Sequence, residues 1–113
     1  MGISKRWTRI TPSNLANVPD EPGAYEIADR FKRTVDIGGS ENLAQRIPRK
    51  VRDPKFRGQA AFFRFVEDYE PETAEAELQA EYMARYGERP RFTGRVQGEA
   101  YQILDELEEE FNG

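Results

Sequence analysis

Cysteine and histidine are both absent from this chain. Their absence excludes disulfides, thiolate chemistry, zinc sites of the Cys/His type and every histidine-based triad. Any catalysis must draw on carboxylates, tyrosine, lysine, arginine or hydroxyls, with an oxygen-seeking metal such as Mg²⁺ or Mn²⁺ as the cofactor that suits them. No apolar run approaches the ~20 residues of a membrane-spanning helix, so no membrane partner is expected. The opening MGISKRWTRI lacks the apolar core of a signal peptide, and a cytoplasmic location is the expectation. Repeats, linkers and low-complexity segments are lacking too.

What is present argues for one folded domain over residues 1–113. Hydrophobic residues make up 37% and aromatics 12%, enough for a single modest core but not for two. The net charge of −4 hides an asymmetry. Residues 1–60 hold 12 Lys/Arg against 7 Asp/Glu, whereas residues 61–113 hold 5 against 14. Two solvated faces of opposite sign explain this as well as a basic face for a polyanion does. That basic face would be Arg46, Arg49, Lys50, Arg52, Lys55 and Arg57. The acidic pI of about 5.0 counts against a dedicated nucleic-acid binder.

Local signals outline the elements. Thr11 before Pro12 predicts a helix N-cap and a short helix to about Asn17. Gly23–Ala28 and Thr34–Gly38 read as two strands joined by the polar turn 29–33. By the period of two, Val35 and Ile37 should share one face and Asp36 and Gly38 the other. A helix is expected from Glu41 to about Val51, with Leu43, Ile47 and Val51 as its apolar stripe. Pro48 should kink it or end it early. Asp53–Gln59 reads as a loop and Ala60–Val66 as a third, aromatic-rich strand. A helix from about Glu72 to Tyr86 ends at Gly87, and an amphipathic helix is expected over about 99–111. The fold class predicted is α/β (α+β): a small, three-stranded, mainly antiparallel sheet flanked by helices.

One stretch is more specific. Gly23-Ala24-Tyr25 is followed, after ten intervening residues, by Asp36-Ile37-Gly38, then by Ser40-x-Asn42-Leu43-x-x-Arg46. This order and spacing resemble the GIY-YIG nuclease superfamily, with residues 22–90 as the motif core. The resemblance implies phosphodiester hydrolysis in nucleic acid with one divalent metal, Mg²⁺ or Mn²⁺, and DNA ahead of RNA as substrate. It implies that Tyr25 orients or deprotonates the attacking water and that Arg46 contacts the phosphate. A glutamate on the next helix would hold the metal. Glu75 is the first choice, since it shares a face with Leu78, Tyr82 and Tyr86, and Glu77 is the reserve. Gly23, Gly38 and Asn42 would shape the motif.

The chain also departs from that pattern. Asp36 stands where the second signature tyrosine belongs and could serve as metal ligand or general base. Gly39 replaces a frequent lysine, and no asparagine follows Pro90 closely. Three readings therefore stay open. One is a metal-dependent endonuclease using Tyr25, Asp36, Arg46 and Glu75. Another is a catalytically inactive module of the same fold that binds nucleic acid or a protein. The last is an interaction protein whose C-terminal helix docks a protein partner.

Overall fold

The computed structural model describes residues 6–90. Chain order is β1 (Thr8–Arg9), α1 (Pro12–Ala16), β2 (Gly23–Ala28), β3 (Thr34–Ser40), α2 (Leu43–Val51), a 3₁₀ turn (Pro54–Phe56), β4 (Phe62–Glu67) and α3 (Pro71–Tyr86). The strands form one antiparallel sheet in the order β1-β4-β2-β3. The sheet thus has four strands, not the three expected. The addition is β1, where Thr8 and Arg9 pair with Phe63 and Phe62. Two residues carry no readable alternation, so this strand exists only through its pairing. The expected helix over about 99–111 lies outside the described residues.

β2 is central, and all six of its residues are buried. Such a strand must be covered on both faces. On one face Tyr25, Ile27 and Val35 pack with Leu43, Ile47, Phe56 and Phe63. On the other, Ala24 and Ile37 pack with Ala74 and Leu78 of α3. Val35 and Ile37 therefore fall on opposite faces, which corrects the simple alternation. The register explains it. Ile27 pairs with Asp36 and Ala28 with Thr34, so Val35 is an extra residue in a β-bulge. Asp36 and Gly38 consequently share a face with Tyr25 and Ile27.

Local chemistry sets the other boundaries. Asp29 closes the β2–β3 turn by accepting from the Phe31 N–H at 2.9 Å, the Arg33 N–H at 3.0 Å and the Arg33 guanidinium at 2.9 Å. Burial pushes this carboxyl up, but the hydrogen bonds from Arg33 and Phe31 outweigh it and hold it below its ordinary range. α2 starts at Leu43, capped by the Asn42 side chain, which accepts from the Gln45 N–H at 3.2 Å. Pro48 neither ends nor shortens the helix, which continues to Val51. Burial of Leu43 and Ile47 holds it in place against the lost backbone bond. The segment after α2 is not a polar loop throughout, because Phe56 is fully buried.

Candidate active site

The glycines determine how the site is built. β2 and β3 set Tyr25 opposite Gly38. A Cβ at Gly38 would lie 2.3 Å from the Tyr25 Oη and 2.5 Å from Cζ. The phenol therefore lies flat across a position that only glycine can supply. Gly23 answers a second close approach: its Cβ would meet the Val66 carbonyl oxygen at 2.0 Å and Leu43 at 2.9 Å. The missing lysine at position 39 has a physical reason as well. A Cβ there would lie 2.8 Å from the Pro71 carbonyl and 3.0 Å from Glu75 Oε1, because α3 crosses β3 at that point.

β3 is the outermost strand of the described sheet, and the candidate groups collect along it. Tyr25 and Asp36 come from the strands, both 2% exposed. Glu75 enters from the start of α3 and accepts a hydrogen bond from the Gly39 N–H. Arg46 projects from α2 with its side chain exposed. Ser40 fixes the step between β3 and α2: its hydroxyl donates to the Asn42 carbonyl and accepts from the Asn42 N–H, both at 3.0 Å. Asn42 also donates to the Asp20 carboxylate.

Electrostatics tie these groups together. Burial, reinforced by the negative charge of Asp36, pushes the Tyr25 phenol well above its ordinary value. Arg46 opposes that shift, and Glu75 and Asp53 add to it. Asp36, Arg46 and Glu75 thus all act on one hydroxyl, although they come from three different elements. Glu75 is pushed up to about 7, mainly by burial, with the charges of Asp36 and Glu72 adding to it. The Gly39 N–H and Lys50 work against that rise.

Lys50 was expected on the exposed basic face with its neighbours. Arg49, Arg52 and Arg57 are there, and Lys55 is half-buried. Lys50 instead turns inward, its Nζ 3.8 Å from Asp36 Oδ2. Burial lowers its proton affinity and the Asp36 charge raises it, with burial winning. Its place one turn after Arg46 was the only sequence signal for this. Glu77 is exposed and away from the group.

Among the described residues no group of three or more Asp, Glu, His or Cys side chains could hold a metal. A one-carboxylate site remains. Glu75 is half-buried, burial and the charges of Asp36 and Glu72 favour its protonated form in the absence of a cation, and oxygen donors suit a magnesium-like ion that keeps most of its waters. The residues present therefore fit a hydrated divalent cation on Glu75.

Residues 1–85 match the family model described as "Domain of unknown function (DUF7508)". The chain belongs to this family. None of the curated proteins matches the DUF7508 chain. Among solved structures, it is similar to the GIY-YIG N-terminal endonuclease domain of UvrC from Thermotoga maritima, a point mutant bound to its catalytic divalent cation. The TM-score is 0.53 at 20% identity, over 74% of this chain and 93% of that one. That likeness establishes a GIY-YIG-like fold for the DUF7508 domain.

Proposed function

We propose that this DUF7508 protein is a divalent-metal-dependent endonuclease that hydrolyses phosphodiester bonds in nucleic acid. The observation that carries this reading is the Tyr25 hydroxyl, seated on Gly38 and felt by the charges of Asp36, Arg46 and Glu75. Hydrolysis needs an acceptor for the proton of the attacking water, positive charge on the phosphate and relief of charge on the leaving oxygen. Tyr25 keeps its proton at neutral pH, so its hydroxyl orients the water or a phosphate oxygen rather than deprotonating it. The acceptor is Asp36, whose carboxylate is steadied by Lys50. Arg46 is exposed and always charged, and its planar fork binds a phosphate through two hydrogen bonds. Glu75 would hold the Mg²⁺ or Mn²⁺ ion. When bound, such an ion neutralises phosphate charge and stabilises the leaving oxygen.

A second reading, a non-catalytic nucleic-acid-binding module, is favoured by the Asp36–Lys50 ion pair, which occupies the place of a signature tyrosine. One experiment separates the two. Labelled DNA and RNA, single- and double-stranded, are incubated with Mg²⁺ or Mn²⁺ and wild type or Arg46→Ala. Metal-dependent cutting that disappears in the variant supports the nuclease. Binding without cutting supports the module. If the exposed Arg46, Arg49, Arg52 and Arg57 carry the contact, affinity on a duplex should fall with a log–log salt slope of about −4. Neither cutting nor binding would refute both.

A further inference from the structure

The opposite face of the sheet carries a cavity of about 540 Å³ that the hydrolytic site does not use. It lies between the C-terminal half of α3 and the end of the sheet where β2 turns into β3. Its volume is that of a small-ligand pocket, in the range of about 300–1,000 Å³. Among the described residues three aromatic rings line it: Trp7, Tyr82 and Tyr86. Tyr82 and Tyr86 form a pair with centroids 4.5 Å apart, and the Arg64 guanidinium lies 3.9 Å over the Trp7 ring. Tyr86 is 58% exposed, an uncommon state for a large aromatic beside a cavity.

Charge defines the ligand further. Among the described residues, Lys32, Arg33, Arg64 and Arg85 line the cavity against Glu26 and Glu81, in a protein that is acidic as a whole. That balance disfavours a cationic guest of the aromatic-cage type and favours an anionic one. The floor holds Glu26, 6% exposed. It accepts from Arg64 Nε at 3.1 Å and from the Thr34 hydroxyl at 3.3 Å, two of a carboxylate's roughly four acceptor positions. A ligand with a flat apolar face, an amino group and a negative charge matches all three features.

We propose that this cavity binds one unstacked nucleotide of a single strand. The base stacks against Tyr82 and Tyr86, its exocyclic amino group donates to Glu26, and its phosphate lies on Lys32 and Arg85. Cytosine is favoured over uracil, because a carboxylate accepts from the cytosine amino group and repels the carbonyl that replaces it. Along β3, Thr34 at the cavity and Gly38 at the hydrolytic site are four residues apart, roughly 13 Å. The two places lie on opposite faces, so a strand held at the first would pass around the edge of β3 to reach the second. The proposal rests on the reading of the chain as acting on nucleic acid, but its test involves no cleavage.

Trp7 is the chain's single tryptophan, so its fluorescence reports on the cavity directly. The full chain carrying Arg46→Ala, without metal, is titrated with CMP, UMP and inorganic phosphate, with calorimetry as a second readout. Expected is saturable quenching by CMP, about tenfold tighter than by UMP. Tyr86→Ala, at an exposed position, should weaken CMP binding about tenfold with its circular dichroism unchanged. The proposal is overturned by the absence of saturable binding, by phosphate alone reproducing the response, or by Tyr86→Ala binding CMP like its parent. Binding here with no cleavage by wild type would sink the nuclease reading alone. Cleavage without binding here would sink this one alone.

Discussion

Replacing Gly38 by alanine tests the physical basis of the site. The added methyl would lie 2.3 Å from the Tyr25 oxygen and 2.5 Å from Cζ, against an optimal separation of about 3.5–4.0 Å. The ring cannot swing freely away, since Tyr25 is 2% exposed and packs among Ile27, Leu43 and Ile47. Overpacking of this kind costs about 1–3 kcal/mol. For a domain this size that corresponds to a fall in Tm of about 4–20 °C. Urea and thermal melts of Gly38→Ala would measure it, and a double-mutant cycle would assign the cause. In a Tyr25→Ala background the penalty should largely disappear, because the obstructing ring is gone. In a Tyr25→Phe background it should persist, since Cζ remains. A cost below about 0.5 kcal/mol, or an equal cost with and without the Tyr25 ring, would show that the phenol does not rest on Gly38.

Glu75 gives a pH signature. Its native value of about 7 lies above the ordinary 4.5, so the protonated form is favoured by folding. Its contribution is fully present below pH 4.5 and is lost as pH rises through 7. Half-exposure trims the effect to about 1–2 kcal/mol, and Glu75→Gln should flatten the urea-measured stability difference between pH 5 and pH 8. Phe56→Ala should cost about 3–5 kcal/mol, since the ring is fully buried; a Tm like wild type would show that the 53–59 segment is loosely attached. Lys50→Met removes the cation beside Asp36 and should cost about 1–3 kcal/mol. Asp36→Asn in the same chain should recover part of that loss, as read from urea midpoints.

The main elements could be read from the sequence because their signals are local. Thr11 and Asn42 cap helices through side-chain acceptors, and Asp29 organises a tight turn, so α1, α2 and the β2–β3 hairpin are encoded within a few residues. The spacing from Tyr25 through Gly38 to Arg46 marked the candidate site for the same reason. What escaped depends on contacts distant in sequence. β1 has two residues and is defined by Phe62 and Phe63. The bulge at Val35 shifts which side chains share a face, and alternation alone cannot announce it. Gly39 read as a lost lysine, whereas it is where α3 presses Pro71 and Glu75 onto β3. Lys50 read as one more surface cation because only the fold brings Asp36 to it. The cavity between Trp7 and α3 joins residues up to 79 positions apart, from Trp7 to Tyr86.

The most direct test of the proposed hydrolytic site is the Mg²⁺-dependent cleavage rate of labelled DNA and RNA between pH 6 and 8.5, for wild type beside Glu75→Gln. A working site predicts metal-dependent cutting that needs more Mg²⁺ at pH 6 than at pH 8.5, because the proton on Glu75 competes with the ion, and cutting abolished in the folded variant. No metal-dependent cleavage by folded wild type, or equal rates in the two proteins, would contradict the claim that these residues form a nuclease centre.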